Sequence, residues 1–228
     1  MISLKVVLMS CALALVPATP IALARPASPA RSIPFDALSM TIEINATDDD
    51  AGVILFNDTE ERLHHLTIQG PSGNVIYDMT SSDGQGLGLT EISSETAEPD
   101  IDTALRAYPE GAYTFTGTAF DGTTLTGVAN LSHEAPEAPE IVKPEDGARL
   151  SKDHVKVEWQ LDDEVEHYWI ELEQVDPPVD FTIQLQPGVH KFKIPSQVLR
   201  KDASYHVGIG AVGSNGNATV SEVDFETK

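Results

Sequence analysis

Residues 113–131 read Tyr-Thr-Phe-Thr-Gly-Thr-Ala-Phe-Asp-Gly-Thr-Thr-Leu-Thr-Gly-Val-Ala-Asn-Leu. Tyr113, Phe115, Gly117 and Ala119 fall on one side of a period of two, and Thr114, Thr116 and Thr118 on the other. Side chains alternate across a strand with that period, so one face is buried and the other wet. Asp121-Gly122 is a hairpin turn dipeptide, after which Leu125, Gly127, Ala129 and Leu131 return on the buried face.

The same rhythm continues in both directions. Leu38, Met40, Ile42 and Ile44 alternate with Ser39, Thr41, Glu43 and Asn45. Leu66-Thr67-Ile68 and Val75-Ile76-Tyr77 flank Gly70-Pro71-Ser72-Gly73-Asn74, a turn built from turn-forming residues. Further on, Val155, Val157, Trp159 and Leu161 face inward, as do Tyr168, Ile170 and Leu172, then Tyr205, Val207, Ile209 and Ala211. Asn215-Gly216 turns into a last strand ending near Phe225.

The fold class expected is all-β, with two tandem Ig-like or fibronectin type III β-sandwiches. Residues 36–132 form the first, Ig-like sandwich, residues 133–139 a linker, and residues 140–228 the second sandwich. The linker reads His-Glu-Ala-Pro-Glu-Ala-Pro; its prolines favour an extended, semi-rigid spacer. Residues 80–111 are long for a sandwich connection and are read as an insertion. Asp100 is placed to cap one short helix over 101–107, stopped by Pro109.

The second sandwich resembles a fibronectin type III domain over residues 140–228. The residues that carry the resemblance are Pro144-Glu145-Asp146-Gly147, Trp159 in the second strand, Tyr168 in the third, and Leu199 six residues before Tyr205, with Ala211 and Asn215-Gly216 beyond. Integrin-adhesive members of that family use an Arg-Gly-Asp loop, which this sequence lacks. The first sandwich resembles a bacterial Ig-like module, chiefly through Pro109-Glu110-Gly111-Ala112-Tyr113 and the Asp121-Gly122 hairpin.

The chain of 228 residues holds 36 Asp and Glu against 14 Lys and Arg, a net charge of −22. That balance excludes nucleic-acid binding through a basic face and polybasic attachment to anionic lipid. Residues 33–132 carry 17 acidic residues, Arg62, Arg106 and no lysine. The N-terminus follows the plan of a secretory signal: Lys5, an apolar run over 6–16 too short to span a bilayer, and Ala22-Leu23-Ala24 before Arg25. Residues 1–24 are therefore read as a signal peptide and 25–35 as an N-terminal tether. The mature chain is expected to be secreted or periplasmic, bacterial, and without membrane insertion. The single cysteine, Cys11, lies inside the signal; reading it as a lipoprotein box leaves too short an apolar segment before it.

No nucleophile elbow, zinc-protease motif, P-loop or dinucleotide fingerprint occurs, so the chain is not expected to be an enzyme. Gly84-Gln85-Gly86-Leu87-Gly88 lacks the lysine and helix of a phosphate cradle. His64 and His65 are adjacent on a strand and point to opposite faces. Asn45, Asn57, Asn130 and Asn217 stand in N-x-[ST] sequons, which matter only in a eukaryotic secretory host.

Two sets of candidate site residues remain. Asp48, Asp49 and Asp50, in a turn after the 38–44 strand, offer oxygens suited to calcium; Asp162-Asp163-Glu164 with Glu166 is a second acidic cluster. Both are also what a solvated acidic turn looks like. If Tyr168, Ile170 and Leu172 face the core, Trp169 points outward with His167 and Glu171 beside it. The type III arrangement implies pairing with the strand of Tyr205, whose outward positions are His206, Gly208 and Gly210. There the Trp169 indole either shields bare glycine backbone, meets the first sandwich, or forms with His206 and Glu171 a platform for a partner protein or surface polymer. The alternative function is a calcium-stabilised extracytoplasmic structural protein.

Overall fold

The computed structural model describes residues 31–82, 85–160, 165–174 and 178–228. The signal peptide, Cys11, Gly84, Leu161 and the Asp162-Asp163-Glu164 cluster lie outside the described residues.

The first half of the chain comprises β1 (Ser32–Pro34), β2 (Ala37–Asn45), β3 (Asp50–Gln69), β4 (Val75–Thr80), β5 (Leu89–Glu95), α1 (Ile101–Ala107), β6 (Gly111–Ala119) and β7 (Thr124–Leu131). The 20-residue β3 changes partners along its length. Its first part pairs with β2 and β5, its second with β4 and β6. Apart from Gly52, the buried residues occupy odd positions from Ala51 to Leu63, then even positions at Leu66 and Ile68. The change of phase coincides with a register shift between Leu63 and His65, a bulge that re-aims the strand. β7 pairs with β6 in the register set by the Asp121-Gly122 turn. The core includes Met40, Ile42, Val53, Leu55, Leu66, Tyr113, Phe115 and Leu125.

Two expectations change here. Ser32–Pro34, assigned to the tether, is a strand parallel to β7, and Phe35 is buried against Phe115. Three residues ending in proline give no periodic signal of their own. The 80–111 insertion holds α1 as expected, with Asp100 Oδ1 accepting from the Thr103 N–H at 3.0 Å. It also holds β5, whose polar sequence Leu-Thr-Glu-Ile-Ser-Ser-Glu hides a half-buried alternation.

The second half comprises β8 (Ile141–Lys143), β9 (Ala148–Leu150), β10 (Lys156–Trp159), β11 (His167–Gln174), β12 (Val179–Leu185), β13 (Lys191–Lys193), β14 (Ser204–Val212) and β15 (Ala218–Thr227). One sheet runs β13-β10-β8; the other runs β15-β14-β11-β12, with short β9 on β15. Three strands facing four in these orders is a fibronectin type III-like arrangement. Its separate core includes Val155, Val157, Trp159, Tyr168, Ile170, Tyr205, Ile209 and Phe225. The Tyr205 hydroxyl accepts the Arg200 N–H at 2.6 Å, fixing the corner after Leu199.

The two halves are not independent. β15 pairs in parallel with β2 through Ala218–Glu43, Thr219–Ile44 and Val220–Asn45. One sheet therefore runs from the first core to the second through a seam of two edge strands. Asn217, buried at 1% exposure, clasps it. Its Oδ1 accepts from the Ile42 N–H at 3.0 Å, and its Nδ2 donates to the carbonyls of Ser132 and Glu134 at 2.8 and 2.7 Å. Asn215 Nδ2 and Thr219 Oγ1 donate to the Glu134 and Pro136 carbonyls. The proline linker, expected as a spacer, is thus stitched along its carbonyls to the second sandwich.

Candidate functional site

The outward face of β11, β14 and β15 continues across the seam onto the outward face of β2, β3 and β5. Pairing places Trp169 opposite Gly210, Glu171 opposite Gly208 and Glu173 opposite His206. It then places Glu222 on the far side of Gly208 and Glu43 opposite both Ala218 and Gly52. Tyr168, Ile170 and Leu172 are buried and Trp169 is half-buried on the other face, in the register the alternation implies. The indole lies flat on Gly210: a Cβ there would collide with its Cε2, Nε1 and Cζ2. Only glycine admits that approach.

Trp169 also lines an open concavity of about 400 Å³ together with Glu43, Ile54, Glu95, His167, Glu171, Thr182 and Gln184. A second concavity, about 430 Å³, shares Glu43, Glu95 and Glu171 and adds Asp48, Glu98, Glu222 and His206. Trp169 and His206 therefore line neighbouring concavities that share Glu43, Glu95 and Glu171.

Carboxylates crowd this face. Burial, reinforced by Glu95, Glu171, Glu98 and Glu222, pushes Glu43 up to about 7. Burial, then Asp50 and Glu95, raises Glu98, and burial, then Glu173 and Asp180, raises Glu171. Desolvation, then Asp48 and Glu222, raises Asp50. A carboxyl held above its ordinary value prefers to be neutral or to meet a cation. Burial alone would lower His206, but its bonds to Asp224 at 2.9 Å and Glu222 at 3.2 Å outweigh that and raise it.

Asp48 and Asp49 are exposed in the 46–49 turn, Asp49 with a positive φ of 61°. Asn45 Oδ1 accepts from the N–H groups of Thr47 and Asp48 and shapes the turn. The three aspartates do not converge on one point among the described residues. The group that does is Glu43, Glu95 and Glu98, each offering one oxygen with all three within 4.8 Å of one another. These could supply ligand atoms to one cation. They come from β2, β5 and the loop before α1, so no local spacing marks them. His64 and His65 diverge as expected: His64 Nδ1 reaches the Ser81 carbonyl and His65 Nε2 reaches Asp78.

No protein-family model matches the sequence, and no curated protein does. Among solved structures, the chain is similar to the fibronectin(III)-like modules of Clostridium thermocellum CbhA, at 8% identity and a TM-score of 0.35, covering 85% of this chain and 93% of that one. It is similar to a segment of two fibronectin type III domains from chicken tenascin, at 12% identity and 0.33, covering 84% and 98%. It is also similar to a tetra-tandem repeat from the extending region of a large adhesion protein, at 17% identity and 0.30, covering 84% and 50%.

Proposed function

We propose that the chain is an exported, non-enzymatic binding or spacer protein that presents the sheet face around Trp169 to a partner protein or surface polymer. The observation that carries this reading is the indole, seated on Gly210 and lining an open concavity together with side chains from both halves of the chain. Strand glycines beneath an aromatic are a sheet-stabilising device, but shielding alone does not require the aromatic to line a concavity shared with Glu43 and Glu95. The signal-like N-terminus motivates the export, and no helix among the described residues is long and apolar enough to cross a membrane.

The test is capture from an envelope fraction with the chain and its Trp169→Leu variant as baits. Leucine keeps apolar cover over Gly210, so the variant should melt close to the parent. A partner retained by the parent and lost by the variant is the expected result. Capture indifferent to Trp169 refutes this face as the binding surface.

A second reading, a calcium-stabilised structural protein, is favoured by the convergence of Glu43, Glu95 and Glu98, with Asn45 and Asp48 lining the same concavity. Calcium takes six to eight oxygens, and saturation to about 100 times Kd raises stability by about 2.7 kcal/mol. Millimolar calcium should then raise Tm more than magnesium does, and Glu98→Gln should remove the difference. Equal shifts with both ions refute it. A shift that survives Glu98→Gln but is lost in Asp48→Asn with Asp50→Asn returns the site to the turn.

A further inference from the structure

We infer that the face beside Trp169 takes a cationic segment of a partner protein, with an arginine side chain stacked on the indole and its guanidinium held among Glu43, Glu95 and Glu171. This rests on the reading of Trp169 as a binding platform and names the chemistry of its partner.

Three observations on this unpartnered sheet face lead to that occupant. First, its charge is uncompensated. Glu43, Glu95 and Glu171 share the cavity with Trp169, and Glu98, Glu173 and Glu222 line its neighbour. Among the described residues, every ion pair made by a lysine or arginine lies elsewhere. His206 reaches only Glu222 and Asp224.

Second, the wall is partly desolvated. Glu43 and Glu171 are half-buried and stand among other carboxylates in both concavities, so an arriving cation is favoured by relief of like-charge crowding as well as by its own contacts. Carboxylates beside a low-dielectric wall attract a cation more strongly than exposed ones do.

Third, the aromatic selects among cations. A hard, hydrated metal ion gains little from an indole face, since it keeps its oxygen ligands. A guanidinium gains a cation–π contact while its planar fork still donates to carboxylates. Glu43 and Glu95 arrive from the first sandwich, and Trp169 and Glu171 from the second, so the ligand would bridge the seam.

The test is titration of the full chain with a tetra-arginine peptide amide, in a buffer containing EDTA at low ionic strength, read by calorimetry. Tetraglycine and tetra-lysine amides are the comparisons. The expected result is saturable one-to-one binding, tighter for arginine than for lysine and absent for glycine. Trp169→Leu and Glu171→Gln should each weaken it by about tenfold, a change of about 1.4 kcal/mol, while Glu158→Gln on the β13-β10-β8 sheet, which does not carry Trp169, should leave it unchanged. Glu171→Gln preserves shape and charge-neutral hydrogen bonding, so it tests the idea even if Trp169→Leu folds poorly. No binding, or binding weakened alike by all three variants, overturns the inference, the latter because it reports only the general acidity of the chain. If the peptide fails to bind while Trp169→Leu still loses an envelope partner, the platform stands and its cationic specificity falls. If neither binds, both fall.

Discussion

Asn217→Ala is the sharpest perturbation of the seam. The amide is buried and makes three hydrogen bonds across it: one from the Ile42 N–H and two to the carbonyls of Ser132 and Glu134. Each net bond is worth about 1 kcal/mol, and a buried donor left without a partner costs about 1–3 kcal/mol. The Ile42 N–H becomes such a donor, since Ile42 itself is 1% exposed. The expected loss is about 3–4 kcal/mol of total unfolding free energy. The parallel pairing spans only three residue pairs, and the further bonds beside it, Asn45 Nδ2 to Glu222 and the Glu222 N–H to Thr47 Oγ1, lie at one end of it. Urea denaturation followed together by fluorescence and far-UV dichroism should show one transition in the parent. In Asn217→Ala it should show two, with a smaller m for each because less surface opens at once. Asn217→Asp keeps the Ile42 bond but sets a carboxylate oxygen against two carbonyls, and should be at least as damaging. If Asn217→Ala unfolds at the parental midpoint with the parental m, the seam is not held by this residue and the reasoning fails. The same burial means that the N-x-[ST] match at Asn217 cannot carry a glycan in the folded chain.

Glu43, with an ordinary pKa of 4.5 raised to about 7, binds its proton more tightly folded than unfolded. Stability in EDTA-containing buffer should therefore be greatest below pH 4.5 as far as this group is concerned, and fall as pH rises to about 7. The fall is at most about 3 kcal/mol, at about 1.4 kcal/mol per pH unit. Glu43→Gln should flatten that slope in melts taken between pH 5 and 8, and an unchanged slope would show that other groups carry it. Asn57 is fully buried with neither amide atom partnered among the described residues, so Asn57→Leu should raise stability by about 1–3 kcal/mol. A fall in Tm on calorimetry would mean that ordered water satisfies the amide. Residues 136–228, which own the complete second core, should melt cooperatively as a fragment but below the full chain, because Ala218–Val220 lose their partner strand. A non-cooperative profile would place part of that core's stability across the seam.

Much of the fold was legible because its signals are local. The alternation at Tyr168, Ile170 and Leu172 fixed the outward aim of Trp169, and Asp100 announced α1 through the bond it makes three residues on. β1 escaped because a three-residue strand carries no period, and β5 because its outward positions are Thr, Ser and Glu. The candidate site was half legible. Trp169, Glu171 and His206 sit on one sheet whose neighbours follow from the type III order. Glu43, Glu95 and Glu98 do not, since their approach depends on β3 carrying β2 on one side and β5 on the other, so that they meet over Gly52, and their meeting with the Trp169 face depends on β2 pairing with β15 some 175 positions away. In a chain with 36 acidic residues, no individual glutamate stands out until the sheet assembles them.

The parallel pairing of β2 with β15 has a mechanical meaning. Tension applied between Arg31 and Lys228 draws β2 toward its own beginning and β15 toward its own end. Parallel strands hauled apart in that sense slide along each other, so their hydrogen bonds carry the load side by side and must rupture nearly together. A hinge of seven linker residues would instead straighten first and hand the force to each sandwich in turn. The seam shunts tension past the linker, so under pull the chain should behave as one stiff spring whose first yielding event is the parting of Ala218–Val220 from Glu43–Asn45.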